Sequence, residues 1–218
     1  MDEVTNMTPE WVQNAVRKNP CVKLDSGNVR TCPVRLSFPN VFTRGKAIPP
    51  AIEGKFGANL IFPVQADLTV LKAAMAEVVS AKWPDAGKKG GPKLRSPLKA
   101  QSEMADRWAG YGEEGFFLSC NSNSAIPVYD TRQQPITDPD RVYPGVWAIC
   151  TIAPKTYDVG VNKGATFYLQ MVMVIADDMR LGGGAASPSD FAGIDIDASV
   201  SGESVFDNEE DAAAKLFG

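Results

Sequence analysis

The chain has 218 residues, 44% of them hydrophobic and 22% charged, proportions that exclude a wholly disordered, collagenous or coiled-coil protein. Its length suits one elaborated domain better than two, an average domain being about 150 residues. The net charge of −4 hides a partition: from Asp177 onward ten acidic residues face only Arg180 and Lys215, whereas residues 1–176 hold 20 basic and 16 acidic ones, so a mildly basic body precedes a strongly acidic tail.

Thr8-Pro9-Glu10 reads as a helix start, a capping hydroxyl followed by proline at the first helical position, with Trp11, Val12, Ala15 and Val16 on one face until Asn19-Pro20. Alternation predicts a strand over 29–38 and a clearer one over 55–63, where Phe56, Ala58, Leu60 and Phe62 point one way and Lys55, Gly57, Asn59 and Ile61 the other. From 66 to 82 the period becomes helical, carried by Leu68, Leu71, Ala74, Met75, Val78 and Val79 and broken by Trp83-Pro84. Residues 84–114, rich in Gly, Pro, Lys and Arg, read as a long irregular excursion of the kind that is functional or disordered. Strand patterns resume over 115–121, 126–130, 145–157 and 164–175; in the last, Phe167, Leu169, Met171, Met173 and Ile175 share one face, and Thr166, Tyr168, Gln170, Val172 and Val174 the other. One main helix among five or six antiparallel strands fits a small Greek-key barrel of the oligonucleotide-binding (OB) kind, and a sandwich with an inserted helix almost as well. Beyond Gly182-Gly183-Gly184, residues 188–211 contain eight acidic side chains and no basic one; such a segment buries too little to fold alone and is expected to be disordered.

Histidine is absent, which excludes imidazole-activated nucleophiles and Cys/His zinc sites. The four cysteines, Cys21, Cys32, Cys120 and Cys150, contain no CxxC pair and read as reduced core thiols. The longest apolar run, 171–176, is six residues, far short of the roughly 20 that span a bilayer. The first ten residues show no basic start or apolar stretch of a secretory signal, so an intracellular protein is expected. The acidic pairs Glu113/Glu114, Asp138/Asp140 and Asp177/Asp178 sit in turns or at strand ends, as solvated turn carboxylates rather than a metal-dependent nuclease centre. Gly182 to Gly184 matches neither dinucleotide nor P-loop spacing.

Most informative is a mixture of cations and aromatics. Lys82, Lys88, Lys89, Lys93, Arg95, Lys99 and Arg107 oppose three acidic residues in one stretch flanked by Trp83, Trp108 and Tyr111. Single-strand binders need this pairing, because cations track phosphates while aromatic faces stack on unpaired bases without demanding a sequence.

The strings GKFGANLIFP (54–63), LRSPL (94–98), YGEEGFFLSCNS (111–122), QPITDPDRVYPGVWAICTIAPKTYD (134–158), NKGATFYL (162–169) and RLGGG (180–184) run in order through the chain. Together they resemble tailed-phage single-stranded DNA-binding proteins of the OB-fold type. The resemblance implies a mainly β, five-stranded Greek-key barrel with one main helix and extra strands, occupying residues 1–186. Residues 1–28 are then an N-terminal accessory segment, 84–114 a basic excursion and 187–218 a disordered acidic tail. It also implies a groove for unpaired DNA; Lys55, Arg95, Lys99, Tyr111, Phe117, Arg132, Lys155, Tyr157, Lys163 and Tyr168 lie in the matching strings or, for Lys99 and Arg132, within two residues of one, and have the required types. Trp147 is either a stacking platform or a core plug. Leu216 and Phe217, ahead of Gly218, become the docking tip for phage or host replication proteins. The expected role is sequence-independent single-stranded DNA binding in phage DNA replication and recombination, in the host cytoplasm, without cofactor, metal or catalysis. A phage structural or assembly β-barrel is the alternative, a carboxylate-metal nuclease the third.

Overall fold

A computed structural model of the chain describes residues 9–47, 49 and 52–182. The acidic segment, Leu216 and Phe217 lie outside these residues, as does Thr8, the expected helix cap. In α1 (Glu10–Lys18) the helical period buries Val12 and Val16, and Pro9 stands at the cap position rather than in the first turn. The strand expected over 29–38 is two: β1 (Val22–Lys23) pairs with β2 (Val29–Arg30), and β3 (Val34–Asn40) follows a break. Pro33 has no N–H to give a ladder, Cys32 N donates to Cys21 Sγ at 3.2 Å, and buried Thr31 accepts from Cys150 N through its hydroxyl at 3.0 Å.

β4 (Phe56–Ile61) leads to α2 (Thr69–Lys82), which starts later than its period indicates because Asp67 Oδ1 accepts from both the Thr69 amide (2.9 Å) and hydroxyl (2.5 Å) in a turn. Then come β5 (Leu98–Ala100), the short helix α3 (Ser102–Ala105), β6 (Phe116–Ser122) and β7 (Val128–Tyr129). A 3-10 turn at Pro139–Arg141 precedes the long hairpin of β8 (Trp147–Val159) and β9 (Asn162–Ala176).

Pairing closes a ring. β3 is antiparallel to β4, β4 to β6, β9 to β8 and β8 to β3, while β6 lies parallel to β9 through Cys120↔Phe167 and Asn121↔Tyr168. A closed five-stranded ring with this crossing is the OB barrel, and closure removes the sandwich alternative. Inside are Val34, Leu36, Leu60, Leu118, Cys120, Cys150, Ile152, Phe167 and Leu169, and α2 adds Leu71 and Ala74 from the connection between the second and third barrel strands. All four cysteines are free and buried, as read from the sequence, and burial pushes the thiols of Cys120 and Cys150 up.

Two features depart from simple alternation. In β9 the register with β8 passes from Thr151↔Met171 to Ile152↔Leu169, leaving Gln170 as an extra residue. This bulge inverts the phase: Phe167 and Leu169 face the core and Tyr168 faces out as expected, but Val172 and Val174 are the buried residues beyond it and Met171 is exposed. Second, the excursion is not irregular throughout. β5 pairs with β6, and buried Gln101 donates to the Phe62 and Phe116 carbonyls at 2.7 and 3.2 Å while accepting from Gly112 N at 3.0 Å.

Candidate nucleic-acid interface

Register defines the outer face of the barrel. Since Leu36, Ala58, Leu60, Leu118, Cys120 and Phe167 point inward, their strand neighbours point out and form rows across the strands. One row is Arg35, Ile61, Phe117 and Lys99; the next is Ser37, Asn59 and Ser119; a third is Asn40, Gly57, Asn121 and Tyr168.

The first row is covered at Ile61 and Phe117 and exposed at Lys99. Ile61, Tyr111 and Phe117 form a small second core joined by Met104, Ala105 and Leu181, with the Tyr111 and Phe117 rings edge to face at 5.2 Å. The segment following β9 is strapped beside it. Asp178 accepts from Trp147 Nε1 at 2.8 Å and pairs with Arg35 at 3.3 Å, Leu181 N donates to the Pro144 carbonyl at 2.8 Å, and Tyr143 Oη accepts from Asp178 N at 3.0 Å. Burial pulls the Arg35 pKa down against the opposing pull of Asp178, and burial raises that of the Tyr143 phenol. Gly110 is required here: its φ is +88° and a Cβ would come within 2.5 Å of the Leu181 side chain.

The second and third rows are shallow and polar; the second is closed at Ser37, which is 3% exposed, and half-buried at Asn59 and Ser119, and the third opens at Asn121 and Tyr168. Asn59 Nδ2 donates to Tyr111 Oη at 2.9 Å and its Oδ1 accepts from Ser119 Oγ at 2.7 Å. Gly57, at φ +157°, lies so close to β6 that a Cβ would stand 2.3 Å from the Cys120 carbonyl oxygen; a strand glycine of this sort leaves room for close approach. This face belongs to the second and third barrel strands, flanked by the first-to-second and fourth-to-fifth connections, the surface on which OB folds hold oligonucleotides.

Comparison with known proteins agrees with this geometry. The profile of the family described as Enterobacter phage Enc34, ssDNA-binding protein matches residues 27–203. The chain belongs to this family. Among solved structures, the single-stranded DNA-binding protein from bacteriophage Enc34 in complex with ssDNA shares the fold at 18% identity and a TM-score of 0.61, over 74% of this chain and 93% of that one. A second structure of the single-stranded DNA-binding protein from bacteriophage Enc34 gives 19% identity and a TM-score of 0.58, over 79% of this chain and 93% of that one. No curated protein matches the chain in sequence.

Within this Enc34-type chain the residues read from the sequence separate into groups. Arg95, Lys99, Lys155, Tyr157 and Tyr168 lie along one flank, whereas the register puts Lys163 on the opposite side of β9, the side of Phe167. Lys99 shares the outward row of Phe117, with Nζ 6.0 Å from its ring centroid; the Arg95 backbone bridges Gly164 of β9, whose Cβ would lie 2.9 Å from Tyr157 Oη; Lys155 and Tyr157 face out of β8. Lys163 is paired with Asp158 at 3.3 Å. Lys55 is exposed across the face, in the β3–β4 connection.

Three further assignments change, at Tyr111, Phe117 and Arg132, and the choice left open at Trp147 closes. Tyr111 and Phe117 are 5% and 2% exposed, so neither ring presents a face to a base; they support the floor. Arg132 sits in the turn after β7, where Asp130 accepts from the Arg132 and Gln134 amides at 2.8 and 2.9 Å, and β7 meets β9 at Val172 and Met173, beyond the bulge and away from the flank. Trp147 is 4% exposed and therefore a core plug.

Sequence reasoning missed the polar rows and the loop cation Arg44, whose guanidinium lies 5.1 Å from the Phe56 centroid and donates to the Gly54 and Asn123 carbonyls at 3.0 and 3.2 Å. Among the described residues no carboxylate pairs with Lys55, Arg95, Lys99 or Lys155, so these cations are available to phosphates. Of the acidic pairs, Asp138 caps its own turn by accepting from Asp140 N at 3.0 Å, and Asp178 serves Trp147 and Arg35. Among the described residues no three His, Cys, Asp or Glu side chains gather as a metal site would need.

Proposed function

We propose that the chain binds single-stranded DNA without sequence preference, in phage DNA replication and recombination in the host cytoplasm, as a binding protein and not a catalyst. The observation that carries the reading is the outer face of β4 and β6, polar and shallow at its floor, flanked by unpaired cations and Tyr168, in a chain of the Enc34 single-strand-binding family. Cations supply affinity by releasing counterions and aromatic faces supply sequence-tolerant stacking. Lys55, Arg95, Lys99, Lys155, Tyr157 and Tyr168 are the contact residues proposed here.

Residues 187–218 complete the proposal as an acidic tail whose Leu216 and Phe217 dock on replication proteins. Tethered at an effective concentration near millimolar, eight carboxylates over 188–211 compete with DNA for the basic flank. Removal of residues 188–218 is expected to raise single-strand affinity most at low ionic strength, where competition is least screened, and to abolish partner binding. Equal low-salt affinities would reduce the tail to a solubility device.

A gel shift with labelled thymidine oligonucleotide and with duplex, each with and without magnesium, tests the whole reading. A salt-sensitive shift of the single strand without cleavage supports it; cleavage selects a nuclease, and no shift selects a structural β-barrel.

A further inference from the structure

One exposed aromatic pair beside the polar rows has no part in the assignments above. Phe38 and Trp108 lie perpendicular, at 88° with centroids 4.9 Å apart, and remain 40% and 47% exposed. They come from segments 70 residues apart in number, β3 and the turn after α3.

Both are held at the rim of the polar rows. Phe38 follows Ser37, which faces Asn59 in the register, and the β3–β4 register shifts between Ser37 and Asn40. Trp108 N donates to the Met104 carbonyl at 3.0 Å, three residues before Tyr111, whose hydroxyl receives Asn59 Nδ2. The Phe38 backbone has φ +50°, a conformation unfavourable for a bulky side chain, and Asn40 Nδ2 donates to its carbonyl at 3.1 Å. Such outliers persist where the surroundings over-determine them, and they cluster at ligand clamps. Here the strained backbone throws a phenyl ring out of the strand, against a tryptophan that also remains half in solvent. A purely structural aromatic pair gains most by burying both rings; this one leaves ring surface beside a polar floor.

We infer that Phe38 and Trp108 form a stacking corner that takes one unpaired nucleobase at the end of the groove opposite Tyr168, an inference that rests on the single-strand reading above. The perpendicular contact fixes each ring by the edge or face of the other, so the corner is preformed. A base stacks on the exposed ring surface while its phosphates continue over Asn59 and Ser119 toward the Lys99 flank.

The test compares two probes of equal length, a thymidine oligonucleotide and the same strand with abasic sugars, by anisotropy on the parent, W108A and F38G. Glycine accepts φ +50° without strain, so F38G removes the ring while easing the backbone; thermal midpoints verify that both variants are folded. The parent is expected to prefer thymidine, and each variant to lose thymidine affinity by about 5- to 160-fold, the range for one stacked base, with abasic affinity retained. If the parent discriminates and the folded variants discriminate equally, the corner is overturned and the single-strand reading stands. If the parent binds neither probe, both fall.

Discussion

Tyr111 and Tyr168 stand on the same outer side of the same barrel and differ in what covers them. Tyr111 is 5% exposed, its ring on Phe117 and its hydroxyl on Asn59; Tyr168 is 36% exposed, beside Asn121. At the Tyr111 end, the returning excursion and Leu181 make a second small core over Ile61 and Phe117. At the Tyr168 end nothing among the described residues does so, and glycine and short polar side chains keep the floor low. The comparison teaches that a dry, rigid end lets the other end stay open: backbone anchored through Gln101 and Phe117 holds the face in place without occupying it.

The sharpest way to break this comparison is to empty the covered end. F117A is expected to cost about 3–5 kcal/mol, the range for a phenylalanine cavity, seen as a large drop in denaturant midpoint; a midpoint near that of the parent would mean the second core contributes nothing. Y168A is the opposite case. It should weaken thymidine-strand binding by about 1–3 kcal/mol with the thermal midpoint nearly unchanged, and Y157A should follow it in direction. A fall of several degrees with full affinity in the folded fraction would make these tyrosines packing residues and put the groove on another face.

Charge sharpens the contrast on a smaller scale. K99A and K155A should each lower the slope of log affinity against log salt by roughly 0.7, the value per phosphate for single strands, equally for all base compositions. A composition-dependent loss would point to base contacts instead.

The smallest effect lies at the strap. Burial raises the folded pKa of Tyr143 above its ordinary value near 10. Below that ordinary value both states hold the proton and the contribution is complete; above it the unfolded chain loses its proton first, and stability declines until the folded phenol also ionises. The parent should therefore lose stability more steeply than Y143F as pH rises past about 10. Parallel alkaline declines would remove Tyr143 from the strap.

Several features were legible in the residues alone, because they depend on neighbours in the chain. The helical period of Leu71 and Ala74 placed α2, alternation placed Ala58, Leu60 and Phe62 on the core side of β4 and its continuation, and the ordered strings over 54–184 pointed to the OB barrel before any pairing was known. Up to Leu169 the period of β9 places Tyr168 outward, where it lies. Beyond Leu169 the same period failed, since one extra residue at Gln170 reverses every later side chain.

What alternation determines is the side of a strand, a local property of the backbone. What covers that side is set by segments distant in number: Tyr111 and Phe117 are hidden by Met104 and Leu181, and Phe38 of β3 meets Trp108 of the excursion 70 residues later. Cations and aromatics were therefore countable in the sequence. Which of them reach solvent depended on the closing of the barrel and the folding of residues 98–117 over one end of its outer face, because burial is a sum over all neighbours and most of those neighbours come from elsewhere in the chain.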